Sequence, residues 1–303
     1  MKTVIKYLLF PTLMMPVMLF AQLDPVSLAL RAYQGGDLNK AKELIDIAVN
    51  DDTYSTQSKT WYFRGYIYKD LYKQDRQSID GRALREEAIK SYQKAVNLDS
   101  EKEFTEDTHK SLKYLASTLY NDAAIALDTN NFRDAQVFYE EYKSVMRFID
   151  PGIDFRSRDI EFKLYKASKL SLLFENPEPG TNTEELGNEI IKLYEEVLAL
   201  DSNNVSANYN LAIHYYNQGV HIIDNMDIEL PFEELFAIQD KVTELFQKAL
   251  PYMLKAYKLS PERKSILQGL SGIYYGLNDI EKSEYYQKLL EEIEQKENSG
   301  GNK

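Results

Sequence analysis

Apolar residues recur with the spacing of an α-helix along nearly the whole chain after Asp24. Small and apolar side chains return every three or four residues, as a helix with one buried face requires. The helical stretches end at similar stops roughly 50 residues apart, which is the signature of a repeat: Leu98-Asp99-Ser100, Ile149-Asp150-Pro151, Leu200-Asp201-Ser202 and Leu259-Ser260-Pro261. The recurrence predicts stacked helical units instead of one globular core.

Turn-forming residues divide the helical stretches into pairs. Asp24-Pro25 is typical of a helix start, with a capping carboxylate before a proline in the first turn. Gly35-Gly36, Asn130-Asn131 and Asn278-Asp279 each separate two helical stretches and predict tight turns. The chain therefore predicts an all-α fold of about six helical hairpins.

The second hairpin carries the clearest pattern. It reads Trp61-x-x-Arg64-Gly65-x-x-Tyr68, then Ala88-x-x-x-Tyr92-x-x-Ala95. Gly and Ala allow two helices to approach, and large residues fill the groove between them. The pattern resembles the tetratricopeptide repeat family, with Arg64 in a slot that is normally Leu. The resemblance implies a right-handed solenoid over residues 22–296. The spacing of the sequence predicts hairpins longer than the minimal repeat in units two, four and five.

Tyrosines recur beside the Trp and Tyr slots of this pattern. In the repeat family these slots face a concave groove, so the resemblance implies a groove lined by tyrosines that binds a peptide or a sugar. Packing within the repeat is the alternative role for the same rings. The slot that holds the first Lys of the carboxylate-clamp members is Tyr here, so the resemblance does not extend to that activity. The candidate residues are Tyr62, Tyr66, Tyr120, Tyr165, Tyr209, Tyr216 and Tyr275.

The fifth unit is longer than the repeat requires, so both of its helices must extend past their neighbours. The tip between them is apolar with an acidic rim that includes Asp227, Glu229 and Glu233. One interpretation is a closed hairpin whose apolar faces pack on each other. The other is an exposed patch that binds a basic amphipathic helix or a second copy of the chain, giving a homodimer. The tip candidates are Met226, Ile228, Leu230 and Phe232.

The chain is acidic, with a formal charge of −12, and it contains no Cys. Such a surface repels phosphate backbones, so a nucleic-acid partner is not expected. Without thiols the fold depends on packing, and thiolate metal sites are excluded. The motifs of hydrolases, zinc proteases, phosphate loops and calcium loops are absent from the sequence. We therefore expect no enzyme activity, no cofactor and no metal.

The first 21 residues have the layout of a secretory signal peptide. Lys2 and Lys6 precede an apolar stretch at positions 4–20, and Ala21 precedes the expected cleavage point. The stretch is short for a membrane anchor and contains two prolines. Its Leu-Phe-Ala-Gln ending resembles exported proteins of Bacteroidetes-type bacteria, and no Cys is present for lipid attachment. We expect a periplasmic or otherwise exported protein, with a disordered polar tail at residues 297–303.

Together these features predict a non-enzymatic interaction scaffold of the bacterial cell envelope. Its partner would be an envelope protein or peptide, basic or amphipathic, bound as a peptide or helix in the concave groove. A glycan- or peptidoglycan-binding module that uses a tyrosine-lined face is the alternative.

Overall fold

The computed structural model describes residues 24–76, 78–227 and 229–300. The predicted signal peptide and Ile228 lie outside these residues. Within them the chain forms twelve α-helices and no strand, so the predicted all-α fold of six consecutive helical hairpins is confirmed. None of these helices combines the length and the apolar composition that crossing a membrane requires. The chain divides into two compact units. The first ends at Leu115, and the second begins at Ala116.

The first unit contains two complete hairpins and the start of a third. Small residues line the contacts, because Ala41, Ile45 and Ala48 pack against Ile67 with no exposed surface. Gly65 faces the ring of Tyr92, and a Cβ atom at Gly65 would lie 2.7 Å from that ring. The helices are α1 (Pro25–Gln34), α2 (Leu38–Ala48), α3 (Ser58–Gln74), α4 (Ile79–Leu98) and the first part of α5 (Thr105–Asp128).

The second unit continues the same arrangement from the later part of α5. Each hairpin buries alanines and large side chains between its helices, for example Ala123 and Ala135 with Tyr139. One core cluster joins α9, α10, α11 and α12 around Phe246 and Met253. The helices are α6 (Phe132–Ile149), α7 (Arg156–Glu175), α8 (Thr183–Leu200), α9 (Val205–Asp224), α10 (Phe232–Leu259), α11 (Lys264–Gly276) and α12 (Ile280–Gly300).

The predicted turns are confirmed by the backbone. Gly36, Asn130 and Asn278 have positive φ angles of 83°, 58° and 60°. This left-handed conformation ends a helix, and Gly and Asn adopt it most readily. The carboxylate of Asp24 accepts a hydrogen bond from the Val26 N–H at 3.0 Å, as expected for the first helix cap.

The departures from the family pattern have local explanations. Arg64, in the Leu slot, forms ion pairs with Asp46 of α2 at 2.9 Å and with Glu87 of α4 at 3.0 Å. The extra residues of the second hairpin lengthen both of its helices, since α3 continues to Gln74 and α4 begins at Ile79. The second, fourth and fifth hairpins, which the sequence predicts to be long, have helices of 17 to 28 residues.

The C-terminal helix is longer than the sequence indicates. Helix α12 continues to Gly300, so the first four residues of the tail predicted from position 297 are helical. Positions 301–303 lie outside the described residues.

Candidate functional site

An apolar groove of about 530 Å³ lies between α9, α10 and α11 in the second unit. It brings together three of the residues that the sequence singled out, Tyr216, Met226 and Tyr275. Its other lining residues come mainly from one face of α10, where apolar side chains recur at helical spacing. These residues are Val220, Ile223, Leu235, Ile238, Gln239, Val242, Thr243, Phe246, Gly272 and Gly276.

Glycines shape the base of this groove. A Cβ atom at Gly272 would lie 2.8 Å from the hydroxyl of Tyr216, and one at Gly219 would lie 2.6 Å from the ring of Phe246. A Cβ atom at Gly276 would also collide with the Phe246 ring. The rings of Tyr216 and Phe246 stack with centroids 5.3 Å apart. The glycines of α11 therefore allow close approach of the neighbouring helices.

The margin of the groove exposes large apolar side chains. Of the lining residues, Ile223 is 46 % exposed and Tyr275 71 %. In the first turns of α10, before the lining residue Ile238, Phe232 is 77 % exposed and Phe236 63 %. Val220, Ile222 and Ile238 pack on the core cluster beneath them. The long hairpin thus closes along its base and leaves an apolar surface toward its tip, so neither interpretation of the sequence describes all of it.

The same margin is acidic. Residues 220–246 contain seven carboxylates and one Lys, Lys241. Asp224, Asp227, Glu234 and Asp240 each adjoin a groove-lining residue in the sequence, as Lys241 does, so the margin has a net negative charge. All four carboxylates are exposed, and no ion pair joins them to a cation within the described residues. Burial raises the pKa of the Tyr216 hydroxyl, and the charge of Asp224 raises it further. The Asp224 carboxylate lines a neighbouring cleft, and Val220 borders both that cleft and the groove.

The predicted tyrosines of the first unit are largely used for packing. Tyr62 stacks on Phe104 with centroids 4.8 Å apart, and Tyr66 contacts Tyr33 at 5.3 Å. The ammonium group of Lys69 lies 4.3 Å from the centroid of Tyr66. Because neighbouring side chains cover these ring faces, the structure favours the packing role for Tyr62 and Tyr66.

The remaining tyrosines of the second unit are also engaged by neighbours. Tyr120 packs on Tyr142 at 5.2 Å, and the guanidinium of Arg263 lies 4.5 Å from the ring of Tyr209. The Tyr165 hydroxyl donates a hydrogen bond to Asp128, although the ring is partly exposed. These three residues do not line the apolar groove. Leu230 and Phe232 also lie outside its lining, with Phe232 exposed at the start of α10.

His214 and His221 do not form a shared site. His214 is buried beside Phe174, at 4.9 Å between ring centroids, and hydrogen bonds with the Gln218 amide at 2.8 Å. Burial lowers the pKa of the His214 imidazole to about 4, against the opposing effect of a hydrogen bond with the Gly187 backbone. His221 lies exposed in a separate cleft with Asp224. No group of three potential metal ligands occurs among the described residues.

Sequence reasoning found the tip but missed much of the groove. The available signal was the apolar series at Leu235, Ile238, Val242 and Phe246, which recurs with helical spacing on α10. That series alone indicates a buried face. The three-dimensional packing buries Phe246 between glycines from two other helices and leaves Phe236 on the same helix exposed.

Comparison with known proteins assigns no family to the chain. No family model matches it, and no curated protein matches it. Among solved structures, human IFIT1 in a dimer with m7Gppp-AAAA has a TM-score of 0.36 at 13 % identity, and the match covers 84 % of this chain. This chain spans 46 % of that IFIT1 chain, or about half its length.

A second match is the S. pombe nuclear import adaptor Nro1. Its TM-score is 0.35 at 11 % identity, over 92 % of this chain and 93 % of Nro1. Likenesses of this degree do not extend to what either protein binds. The chain's own helices and their order of packing establish an all-helical repeat fold.

Proposed function

We propose that this protein is a non-enzymatic interaction scaffold that binds a segment of another protein in the groove between α9, α10 and α11. The observation that supports the proposal is the combination of an apolar cavity of about 530 Å³ with exposed aromatic rings at its margin. A surface of this kind gains free energy when a partner removes it from water. This apolar surface belongs to the fifth hairpin, which is longer than the repeat requires.

The composition of the groove supports binding over catalysis. Its described lining residues include no carboxylate, imidazole, amine or thiol, which are the groups that most often transfer protons or attack substrates. The proposal therefore assigns no reaction and no cofactor to this surface.

The proposed location is the bacterial envelope, on the basis of the signal-peptide pattern at residues 1–21. The partner is then an exported or envelope protein. The acidic surface favours a protein over a nucleic acid, because a net charge of −12 repels phosphate backbones.

Selection from a displayed peptide library on the full chain tests the proposal. The groove variant carries Ile223→Glu, which places a charge in the lining of the groove. The matched control carries Ile125→Glu, because Ile125 is also an exposed isoleucine, at 60 %, but lies on α5. We expect selected peptides to bind the parent and the control and to lose most of their affinity for the groove variant. Peptides that bind all three proteins equally would place the binding surface elsewhere, and a failure to select any peptide would contradict the scaffold function.

A further inference from the structure

We infer that the occupant of this groove is a cationic amphipathic helix supplied by another protein. The inference rests on the proposed function and adds the conformation and charge of the partner. Three observations support it. They are the length of the groove, the hydrogen-bonded backbone of the helices that form its walls, and the carboxylates without ion pairs at its margin.

The length of the groove fits about three turns of a helix. Its lining on α10 extends from Leu235 to Phe246, which corresponds to roughly 16 Å at the rise of an α-helix. A partner helix of that length presents apolar side chains at positions i, i+3, i+4 and i+7 along one face. The rings of Tyr216 and Phe246 fill the space beside Gly272 and Gly276, so the base of the groove is an aromatic surface on which such residues can pack.

The walls favour a helix over an extended peptide. They are formed by α9, α10 and α11, and α10 from Leu235 to Phe246 pairs its backbone N–H and C=O groups within the helix. Where α9 and α11 end, the carbonyls of Ile223, Ile273 and Tyr275 accept hydrogen bonds from the turns that follow. An extended peptide placed in the groove would find no backbone partners, and its own polar groups would lose water without replacement. A helix satisfies its backbone internally and buries only side chains.

The margin determines the sign of the partner's charge. Asp224, Asp227, Glu234 and Asp240 flank the lining residues, and Lys241 is the only Lys or Arg in residues 220–246, so the margin keeps a net negative charge. Lysine or arginine on the polar face of a bound helix would meet these carboxylates at the rim. A second copy of this acidic hairpin would instead bring like charges together, so the geometry points to a different, basic protein.

Three designed helical peptides test the inference by fluorescence anisotropy with the full chain. All three carry the same leucine face, and their polar faces carry Lys, Gln or Glu. We expect affinity in the order Lys, Gln, Glu, with about tenfold between the first two at low salt, since each exposed pair contributes up to about fivefold. Raising the salt to about 0.5 M should lower the affinity of the Lys peptide to nearly that of the Gln peptide, because salt screens exposed charges.

Two variants separate groove binding from general attraction to an acidic surface. Ile223→Glu makes the protein more negative, so general attraction would strengthen binding of the Lys peptide, whereas binding in the groove would weaken it. The triple variant Asp224→Asn/Asp227→Asn/Asp240→Asn should bind the Lys peptide about tenfold more weakly than the parent does. Its affinity for the Gln peptide should be unchanged. The matched control neutralises three exposed carboxylates in the first unit, Asp52→Asn/Glu101→Gln/Glu103→Gln, and should have little effect.

The outcomes distinguish this inference from the proposed function. Equal binding of the Lys and Gln peptides, lost in Ile223→Glu, would retain the scaffold function and overturn the cationic partner. Binding of no peptide would contradict both. Self-association of the full chain in sedimentation experiments, abolished by Ile223→Glu, would identify a second copy as the occupant and overturn the inference.

Discussion

Single residues explain how closely the helices of this repeat approach one another. Gly65 is the clearest case, because the ring of Tyr92 occupies the space that any larger side chain would need. Arg64, in contrast, is a large charged side chain at a position where the repeat pattern has Leu. Its guanidinium links three helices through Asp46, Glu87 and the Ser91 hydroxyl, the last at 2.7 Å.

Replacement of Gly65 should destabilise the first unit. The substitution Gly65→Leu forces the side chain into the Tyr92 ring, and overpacking of this kind costs on the order of 1–3 kcal/mol. We expect a lower melting temperature and faster hydrogen exchange in α3 and α4. Gly152→Leu is the control, because the nearest atom to a Cβ there is 3.5 Å away. Unchanged exchange in α3 and α4 would contradict the placement of Gly65.

His214 should make stability depend on pH between about 6.5 and 4. The imidazole has a pKa of about 4 when folded and about 6.5 when unfolded, so the unfolded chain binds the extra proton in this range. Stability is therefore lost as the pH falls, by up to roughly 3 kcal/mol from this group. Urea unfolding from pH 7.5 to 5 measures the slope, with His214→Asn as the reference that removes this titration and retains those of the carboxylates. Parallel slopes in the two proteins would show that His214 is accessible to protons in the folded state.

At the scale of elements, the fifth hairpin combines a packed base with an open tip. Phe246 lies in the base with 2 % of its surface exposed, between Gly219 and Gly276. Phe236 lies ten positions earlier on the same helix and is largely exposed. Their different environments arise from which neighbouring helices reach them.

The two phenylalanines should therefore respond differently to the same substitution. Phe246→Ala removes a buried ring and should cost about 3–5 kcal/mol. Phe236→Ala removes a ring that water already reaches, so its effect on stability should stay within about 0.5 kcal/mol. Thermal unfolding measures both changes. A large loss of stability in Phe236→Ala would show that the tip is part of the core and would favour the closed-hairpin interpretation.

The sequence predicts those features that depend on residues adjacent in the chain, such as turns. The turns at Gly36, Asn130 and Asn278 were predictable because a left-handed backbone favours these residue types. The groove was only partly predictable, because its shape depends on contacts between residues distant in sequence, such as Phe246 and Gly276.

The tyrosines show the same limitation. Their slots were identified from the repeat pattern, but the pattern does not reveal that Phe104 covers Tyr62 or that Arg263 covers Tyr209. Only Tyr216 and Tyr275 reach the groove. A periodic pattern therefore predicts which helix face a residue occupies and leaves open what packs against it.

At the scale of the whole molecule, the proposed partner and the proposed location depend on each other. A groove that binds a basic envelope protein requires export of the chain, and the export prediction rests on residues 1–21 alone. Lys2 and Lys6 before the apolar stretch should direct secretion, and cleavage after Ala21 should leave Gln22 at the N-terminus.

N-terminal sequencing of the protein from the envelope fraction of the native host tests this prediction. Replacement of Lys2 and Lys6 by Glu should slow export and leave precursor in the cytoplasm, because the positive start of a signal peptide sets its orientation during secretion. Replacement of two lysines after the cleavage point, Lys40 and Lys42, provides the control and should not affect export. Recovery of a soluble cytoplasmic protein that retains Met1 would contradict the prediction, and the search for the basic partner would then move to the cytoplasm.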